Sequence, residues 1–365
     1  MSRIVFYYVI FVHIVFTAIF SESIRYSYII YLMAIATLFG LNFIFSKNNI
    51  NSKDSIIAPN LSIIIIISLA YFFFKIQYIA ETVHAIANRT YLELALERVV
   101  SRYEGNSENL GYSYFLGTTV FFLYGSLYGV ILSSSIKSIK WASSIIFLLM
   151  IIIETSSFAK VGVLLSLINL LFSLIYNNRL SISRTSFSKI IKYFSLIITI
   201  SLTIFLISTI GRLNENELTV ETLDNKFSIY FFAMYESFGI WYSGYKLEML
   251  GLGYDTFAGF TKFFGRVVPQ GYYDFTSTKF GDTNIYTIYR QLINDFSYLA
   301  IFFSFFMGIS ISILDKKNVS ITYFILGIIS FKILITFIIS PYIFSSFLLS
   351  DCLFICYVFF NKKPA

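Results

Sequence analysis

Apolar runs long enough to cross about 30 Å of hydrocarbon recur along the chain. They fall near residues 26 to 45, 59 to 79, 113 to 132, 139 to 155, 159 to 176, 190 to 210, 296 to 314, 319 to 339 and 341 to 360. The opening run, MSRIVFYYVIFVHIVFTAIF, is longer than a signal-peptide core and has no small-x-small cleavage pattern, so it predicts a retained first span. The pattern therefore predicts an all-α, polytopic membrane bundle of about ten transmembrane helices. Polar residues gather in one long interruption, residues 211 to 295. This gives an N-terminal bundle over residues 1–210 with about seven helices and a smaller outer loop at 80–112. A large outer loop over 211–295 follows, and then about three closing helices over 296–365.

Neither loop is uniformly polar. Phe227, Tyr230, Phe231, Met234, Phe238, Trp241 and Tyr245 recur at helical spacing. They predict either an amphipathic helix lying in the membrane interface or a helix packed over the bundle. In the smaller loop Leu92, Ala95, Leu96 and Val99 form one face and Glu93, Glu97 and Ser101 another, which predicts a second amphipathic helix. Gly251, Gly253, Gly259, Gly265, Gly271, Gly281 and Pro269 cut the long loop into short pieces. Such a loop is able to fold over a membrane-embedded substrate.

Composition points the same way, with 57% hydrophobic and only 13% charged residues against roughly 25% charged in a soluble domain. The net charge of +7 raises nucleic acid as a partner, but the Lys and Arg are scattered and form no basic run, so none is expected. Membrane topology explains the charge instead. With the N-terminus inside, the inner segments carry Arg3, Lys47, Lys53, Lys137, Lys140, Arg179, Arg184, Lys189, Lys192, Lys316, Lys317, Lys362 and Lys363, while nearly all the acids fall in the two outer loops. The positive-inside rule then places both termini in the cytoplasm and the long loop outside. Cys352 and Cys356, four apart in an apolar segment, read as small packing residues.

A charge inside a span is costly and marks function by default. Lys332 and Asp351, on the last two helices, are expected to pair and fix register. Lys75 is expected to snorkel from the outer end of its helix. Glu154 and Lys160 flank the turn ETSSFAKVG, where they either neutralise each other or face the large loop. His13 reads as a hydrogen-bonded core residue, whereas His84 has better access to solvent and substrate.

The densest chemistry lies in GDTNIYTIYRQLINDF, Gly281 to Phe296. Thr283 or Asn284 is expected to cap a helix running into the eighth span. Tyr286, Arg290 and Asn294 then share one face at i, i+4 and i+8, with Asp295 beside them at the membrane boundary. A planar guanidinium suits a phosphate through two parallel hydrogen bonds. The alternative is that Arg290 anchors to lipid headgroups and Asp295 caps or pairs with it. No Walker motif, HExxH, Ser-His-Asp spacing or metal-ligand cluster occurs in the sequence, and Gly251 with Gly253 does not complete a nucleotide fingerprint. No cofactor or metal is expected.

GDTNIYTIYRQLINDFSYLA resembles a segment of Wzy-type O-antigen polymerases in which an Asn, aromatics, a Thr, an Arg and an Asp-Phe pair precede a late transmembrane helix. The multispan layout, the cytoplasmic termini, the late outer loop and the LGLGYDTF element are similar to that family too. The layout covers nearly the whole chain, the motif about Leu250 to Ala300. Lys160 departs from it, because such proteins often carry an arginine there and a lysine is a point charge without the fork.

The resemblance implies a metal-independent membrane glycosyltransferase of the bacterial inner membrane, serving lipopolysaccharide or other surface-polysaccharide biosynthesis. Its substrate would be undecaprenyl-pyrophosphate-linked oligosaccharide, its surroundings membrane lipid, and a chain-length regulator protein an implied partner. Arg290 and Arg266 are then expected on the pyrophosphate, with Arg212, Arg89 and Lys160 as further cations. Asp282 or Asp295 is expected near the acceptor hydroxyl as base, with Glu154 and His84 as further candidates. Asn284, Tyr286, Tyr272, Tyr273 and Trp241 are expected around the sugars. A flippase for the same lipid-linked oligosaccharide, an oligosaccharide ligase and a structural partner in glycan export remain as alternatives.

Overall fold

A computed structural model describes residues 2–20, 24–43, 59–88, 111–133, 136–155, 160–178, 219–246, 250–262, 275–283, 287–314, 321–336 and 340–361, with isolated positions between 90 and 98 and between 195 and 210. The amphipathic face from Leu92 to Val99 and most of the helix expected over 190–210 lie outside the described residues. The chain is mostly helical. Its helices are α1 (Ser2–Phe20), α2 (Ile24–Phe43), α3 (Leu61–Phe74), α4 (Ile76–Ala87), α5 (Gly111–Leu132), α6 (Lys137–Thr155), α7 (Lys160–Asn178), α8 (Val220–Phe231), α9 (Ala233–Ser243) and α10 (Ala258–Thr261). A hairpin of β1 (Thr276–Thr278) and β2 (Gly281–Thr283) precedes α11 (Ile288–Phe296), α12 (Ala300–Leu314), α13 (Ile321–Thr336) and α14 (Ser345–Phe360).

Among the described residues, three helical stretches are long and apolar enough to cross a membrane: Tyr112–Leu132, Lys137–Thr155 and Ile288–Leu314. The pair α3 and α4, bent by 59°, makes a fourth if it is counted as one span. Five shorter apolar helices accompany them, Val9–Phe20, Tyr28–Phe43, Val161–Asn177, Ile321–Thr336 and Ser345–Phe360. The chain forms two compact units that interleave in sequence, one of Met1–Ser52 with Thr219–Ser345, the other of Lys53–Leu218 with Ser346–Ala365. This division cuts across the three consecutive parts that the apolar pattern predicts.

In the first unit, α2 and α12 meet at small residues. A Cβ on Gly40 would overlap the Phe305 carbonyl, and one on Gly308 the Thr37 carbonyl, so both glycines are needed for the backbones to approach this closely. The aromatic segment over 227–245 does not form one interfacial helix. It breaks at Phe232, and α9 is buried along most of its length: Ala233, Met234, Tyr235 and Phe238 are each no more than 1% exposed. Of the two expectations for this segment, α9 therefore follows the packing helix. Phe232 stacks on Phe20 of α1 with ring centroids 4.0 Å apart. His13 is a core residue, its Nδ1 lying 3.2 Å from the Tyr235 hydroxyl and its ring edge-on to Tyr289. Burial, with a smaller contribution from Tyr289, raises the Tyr235 phenol above its ordinary value, so it stays protonated.

The hairpin departs from the all-helical expectation. Thr276, Ser277 and Thr278 pair with Thr283, Asp282 and Gly281 around a two-residue turn at Lys279 and Phe280. Gly281 at φ +116° supplies the backbone conformation that closes it. Glu236 of α9 is 7% exposed and accepts the Lys279 N–H on both carboxylate oxygens at 3.3 Å, fixing the turn to the bundle. Thr283 is thus a strand residue, and the residue preceding α11 is Thr287, whose side chain makes no capping bond.

In the second unit, Gly125 and Gly129 lie four apart on α5, facing the backbone of Ser166 and Leu170 on α7. Asn169 donates from Nδ2 to the Phe122 carbonyl at 2.9 Å across this contact. Cys352 and Cys356 are exposed on α14, not packed inside it. Lys75 does not snorkel. It sits at the break between α3 and α4, fully buried, with Nζ 2.9 Å from Glu154 of α6 and 3.2 Å from Thr118 Oγ1. Tyr71 also donates to Glu154 at 3.1 Å, and the ammonium lies 3.7 Å from the Tyr114 ring centroid. Gly117 makes room for the lysine stem, which any Cβ there would strike. Glu154 is therefore paired with Lys75, because the helix break turns the amine inward. Removing one member leaves an uncompensated buried charge. Lys75→Met or Glu154→Leu alone should destabilise the protein by about 3–5 kcal/mol, and the double variant should recover most of that loss. Thermal unfolding of the detergent-solubilised proteins measures it.

Candidate active site around Asp295 and Arg290

Asp295 is a fully buried carboxylate near the end of α11. Its Oδ1 accepts the Asp255 N–H at 2.9 Å and its Oδ2 the Thr256 N–H at 2.6 Å. The same stretch of loop is held by main-chain bonds, from Gly251 N–H to the Asn294 carbonyl at 3.2 Å and from Leu252 N–H to the Asp295 carbonyl at 2.9 Å. Side chain and backbone together thus tie LGLGYDT to the helix end. A Cβ on Gly251 would strike Asp295 Oδ1, so this position needs glycine for close approach. Leu252 at φ +50° and Ser297 at φ +49° are the two non-glycine residues with positive φ among the described residues, and both sit at this clamp. Such conformations cost of order 1–3 kcal/mol each and persist where surrounding bonds over-determine them.

Asn294 continues the clamp, its Nδ2 donating to Asp255 Oδ2 at 2.8 Å. Apart from Arg290, Asn294 and Phe296, every residue of α11 is buried. The partly open face of the helix is therefore Arg290 and Asn294, one turn apart. The Arg290 guanidinium lies 4.9 Å from the Trp241 ring centroid, and Trp241 packs on Tyr245, whose hydroxyl donates to the Ile293 carbonyl at 3.4 Å. On the buried side Gln291 accepts the Ser340 N–H at 2.7 Å. The far end of the loop is held where α10 meets the 340–345 corner, with Ser345 Oγ donating to the Gly259 carbonyl at 2.9 Å. The result is a half-buried cation on an aromatic face and, one turn further along the same helix, a half-buried carboxylate, Asp255, held by Asn294.

Of the residues singled out in the sequence, the structure brings Arg290 against Trp241, and Asn294 and Asp295 against the Asp255–Thr256 turn. Asp282 is exposed on β2 and accepts a bond from Ser277 Oγ at 2.6 Å. His84 is exposed in the other unit, with a ring nitrogen 2.9 Å from Asn88 Nδ2. Glu154 is buried with Lys75. Lys160 begins α7, but its side chain lies outside the described residues, as do Arg89, Arg212, Arg266, Tyr272, Tyr273, Asn284 and Tyr286. Sequence reasoning passed over Asp255, although it stands in the very GYDTF run that marks the loop. Among the described residues, no group of three or more His, Cys, Asp or Glu is placed to hold a metal ion.

Comparison with protein-family models, curated proteins and solved structures finds no match. Charge-assisted bonds of the Asp295 kind are worth about 1.5–3 kcal/mol, so Asp295→Ala should speed amide exchange at Asp255 and Thr256 by about 10- to 100-fold. Exchange in Gly40 and Gly308 should stay unchanged, which separates loss of the clamp from global unfolding.

Proposed function

We propose that this chain polymerises lipid-linked oligosaccharide repeat units, joining polyprenyl-pyrophosphate-bound glycans at the outer face of a bacterial inner membrane. The reading carries with it about ten spans, cytoplasmic termini and an external 211–295 segment. The observation that carries it is the Arg290 guanidinium held over Trp241 on the open face of α11, with Asp255 bound to Asn294 one turn along the same face. In the proposed reaction the anomeric C1–O bond to the donor pyrophosphate breaks and the pyrophosphate leaves with the electron pair. The acceptor sugar hydroxyl forms the new C1–O bond and gives its proton to a carboxylate. The polyprenyl pyrophosphate is released. Arg290 stabilises the charge growing on the leaving group, as a preorganised cation in a partly desolvated site does best.

Asp255 is the better-placed base. Asp295 spends both oxygens on backbone N–H groups and acts as a positioning residue, while Asp255 is partly open. Asp282 remains a second carboxylate for this role, on a strand exposed to solvent. Trp241 and Tyr245 offer apolar faces to sugar rings.

A flippase for the same lipid-linked units is the second reading, favoured by one observation. Buried charges lie in both units: Lys75 with Glu154 and Asp351 in one, Lys332 in the other. A transporter uses such interior charges along its path.

The glycan ladder of a deletion strain separates the two. Loss of this chain should leave single repeat units on the lipid A-core, and complementation should restore the ladder. Arg290→Ala should lower extension by about 10²- to 10³-fold and Asp255→Asn by about 10²-fold or more, with protein still in the membrane. Arg290→Lys should recover little, since a point charge lacks the fork. If deletion removes even the single unit, the lost step is transport or ligation and polymerisation is refuted.

A further inference from the structure

Helix α4 carries three distinct faces. Tyr78 and Ala85 are buried, and Arg98 closes over this side, donating to Thr82 Oγ1 at 2.9 Å, to Glu81 Oε2 at 3.0 Å and to the Tyr78 carbonyl at 3.3 Å. Its guanidinium also lies 3.7 Å from the Tyr78 ring centroid. A second face is polar and exposed, with Gln77, Glu81, His84 and Asn88 at i, i+4, i+7 and i+11. The third is apolar and equally exposed: Ile76 is 66%, Val83 60% and Ile86 59% open. At 3.6 residues per turn these are three adjoining sectors of one helix. A helix with a polar and an apolar face both uncovered belongs at a boundary between two solvents.

The apolar sector is not isolated. It continues the outward stripe of α3, Leu61, Ile65, Leu69 and Phe73, which is likewise at least half exposed and free of charge. Between them the one charged residue, Lys75, is turned inward onto Glu154, so the stripe crosses the helix break without a cation in it. The break also has a length consequence. At 1.5 Å per residue α3 rises only about 21 Å, short of the roughly 30 Å of hydrocarbon. Bent by 59°, α4 runs mostly across that direction, closer to the plane of the boundary than to the line of α3.

We infer that α4 is an interfacial helix whose occupant is the lipid bilayer itself, with Ile76, Val83 and Ile86 against acyl chains and Gln77, Glu81, His84 and Asn88 against water. The inference rests on membrane placement of α3 and not on glycosyl transfer. The Lys75–Glu154 pair sets the corner, and Arg98 braces the buried side. His84 and Glu81 consequently stand in water at headgroup depth.

Spin labels at each of these seven positions, in the full-length protein with Cys352 and Cys356 replaced by Ser, test it. The protein is reconstituted in phosphatidylethanolamine–phosphatidylglycerol vesicles, and collision with oxygen is compared with collision with a water-soluble nickel chelate. Oxygen should dominate at 76, 83 and 86 and nickel at 77, 81, 84 and 88, a periodic alternation. Nickel access at 83 and 86 would overturn the proposal by placing the helix in water, and oxygen dominance at every position would do so by burying it in hydrocarbon. Exclusion of both reagents at 83 and 86, with dipolar broadening between copies, would assign the face to a second chain instead. Since no outcome depends on polymer formation, failure here leaves the catalytic reading untouched, and the reverse.

Discussion

A carboxylate removed from water must find donors, and at Asp295 those donors come from the backbone of the GYDT turn, 39 and 40 residues earlier in the chain. That single requirement organises the candidate site. It fixes the start of the Gly-rich loop to the end of α11, tolerates two left-handed non-glycine residues beside it, and leaves Asn294 free to hold Asp255 on the outer side. Arg290 is one turn earlier on the same helix and is steadied by Trp241 from α9. Cation, carboxylate and aromatic surface therefore come from three separate stretches, and a rigid helix sets their spacing. Sites built on such supports hold their geometry better than sites on loops alone.

The same physics recurs in the other unit with a different solution. There the buried charge is Lys75, and it is met by a second charge, two ring faces and a hydroxyl instead of backbone amides. Such a cluster adds little net stability compared with apolar residues of the same volume, but each member makes the others costly to lose. Its structural effect is to place a bend. Close packing elsewhere comes from glycine, Gly40 with Gly308 in one unit and Gly125 with Gly129 in the other, where helix backbones touch without side chains between them.

Helix content and most helix positions were legible because apolar runs report burial in lipid or protein without needing a partner. Breaks were not. Phe232, Lys75 and Ser297 interrupt sequences with no proline, and only the tertiary contacts of Phe20, Glu154 and the Asp295 clamp explain them. The hairpin at 276–283 was hidden for a similar reason, since Ser and Thr around a Lys-Phe turn give no hydrophobic alternation, and its anchor is a glutamate on another helix. At the site, Arg290 and Asp295 stood out as charges at a membrane boundary. Their roles did not, because whether a carboxylate faces substrate or its own backbone is settled by where a distant loop lies. Asp255 was overlooked since an aspartate in a glycine-rich loop reads as turn chemistry.

The central claim is that this chain joins two lipid-linked glycans and releases the carrier pyrophosphate. The most direct measurement reconstitutes the purified protein in liposomes with lipid-linked repeat units and follows glycan length together with free polyprenyl pyrophosphate. The account predicts a ladder of lipid-linked oligomers and one released carrier for each linkage formed, with no added nucleotide. Movement of the units across the bilayer with neither oligomers nor released carrier would contradict it and identify a transporter.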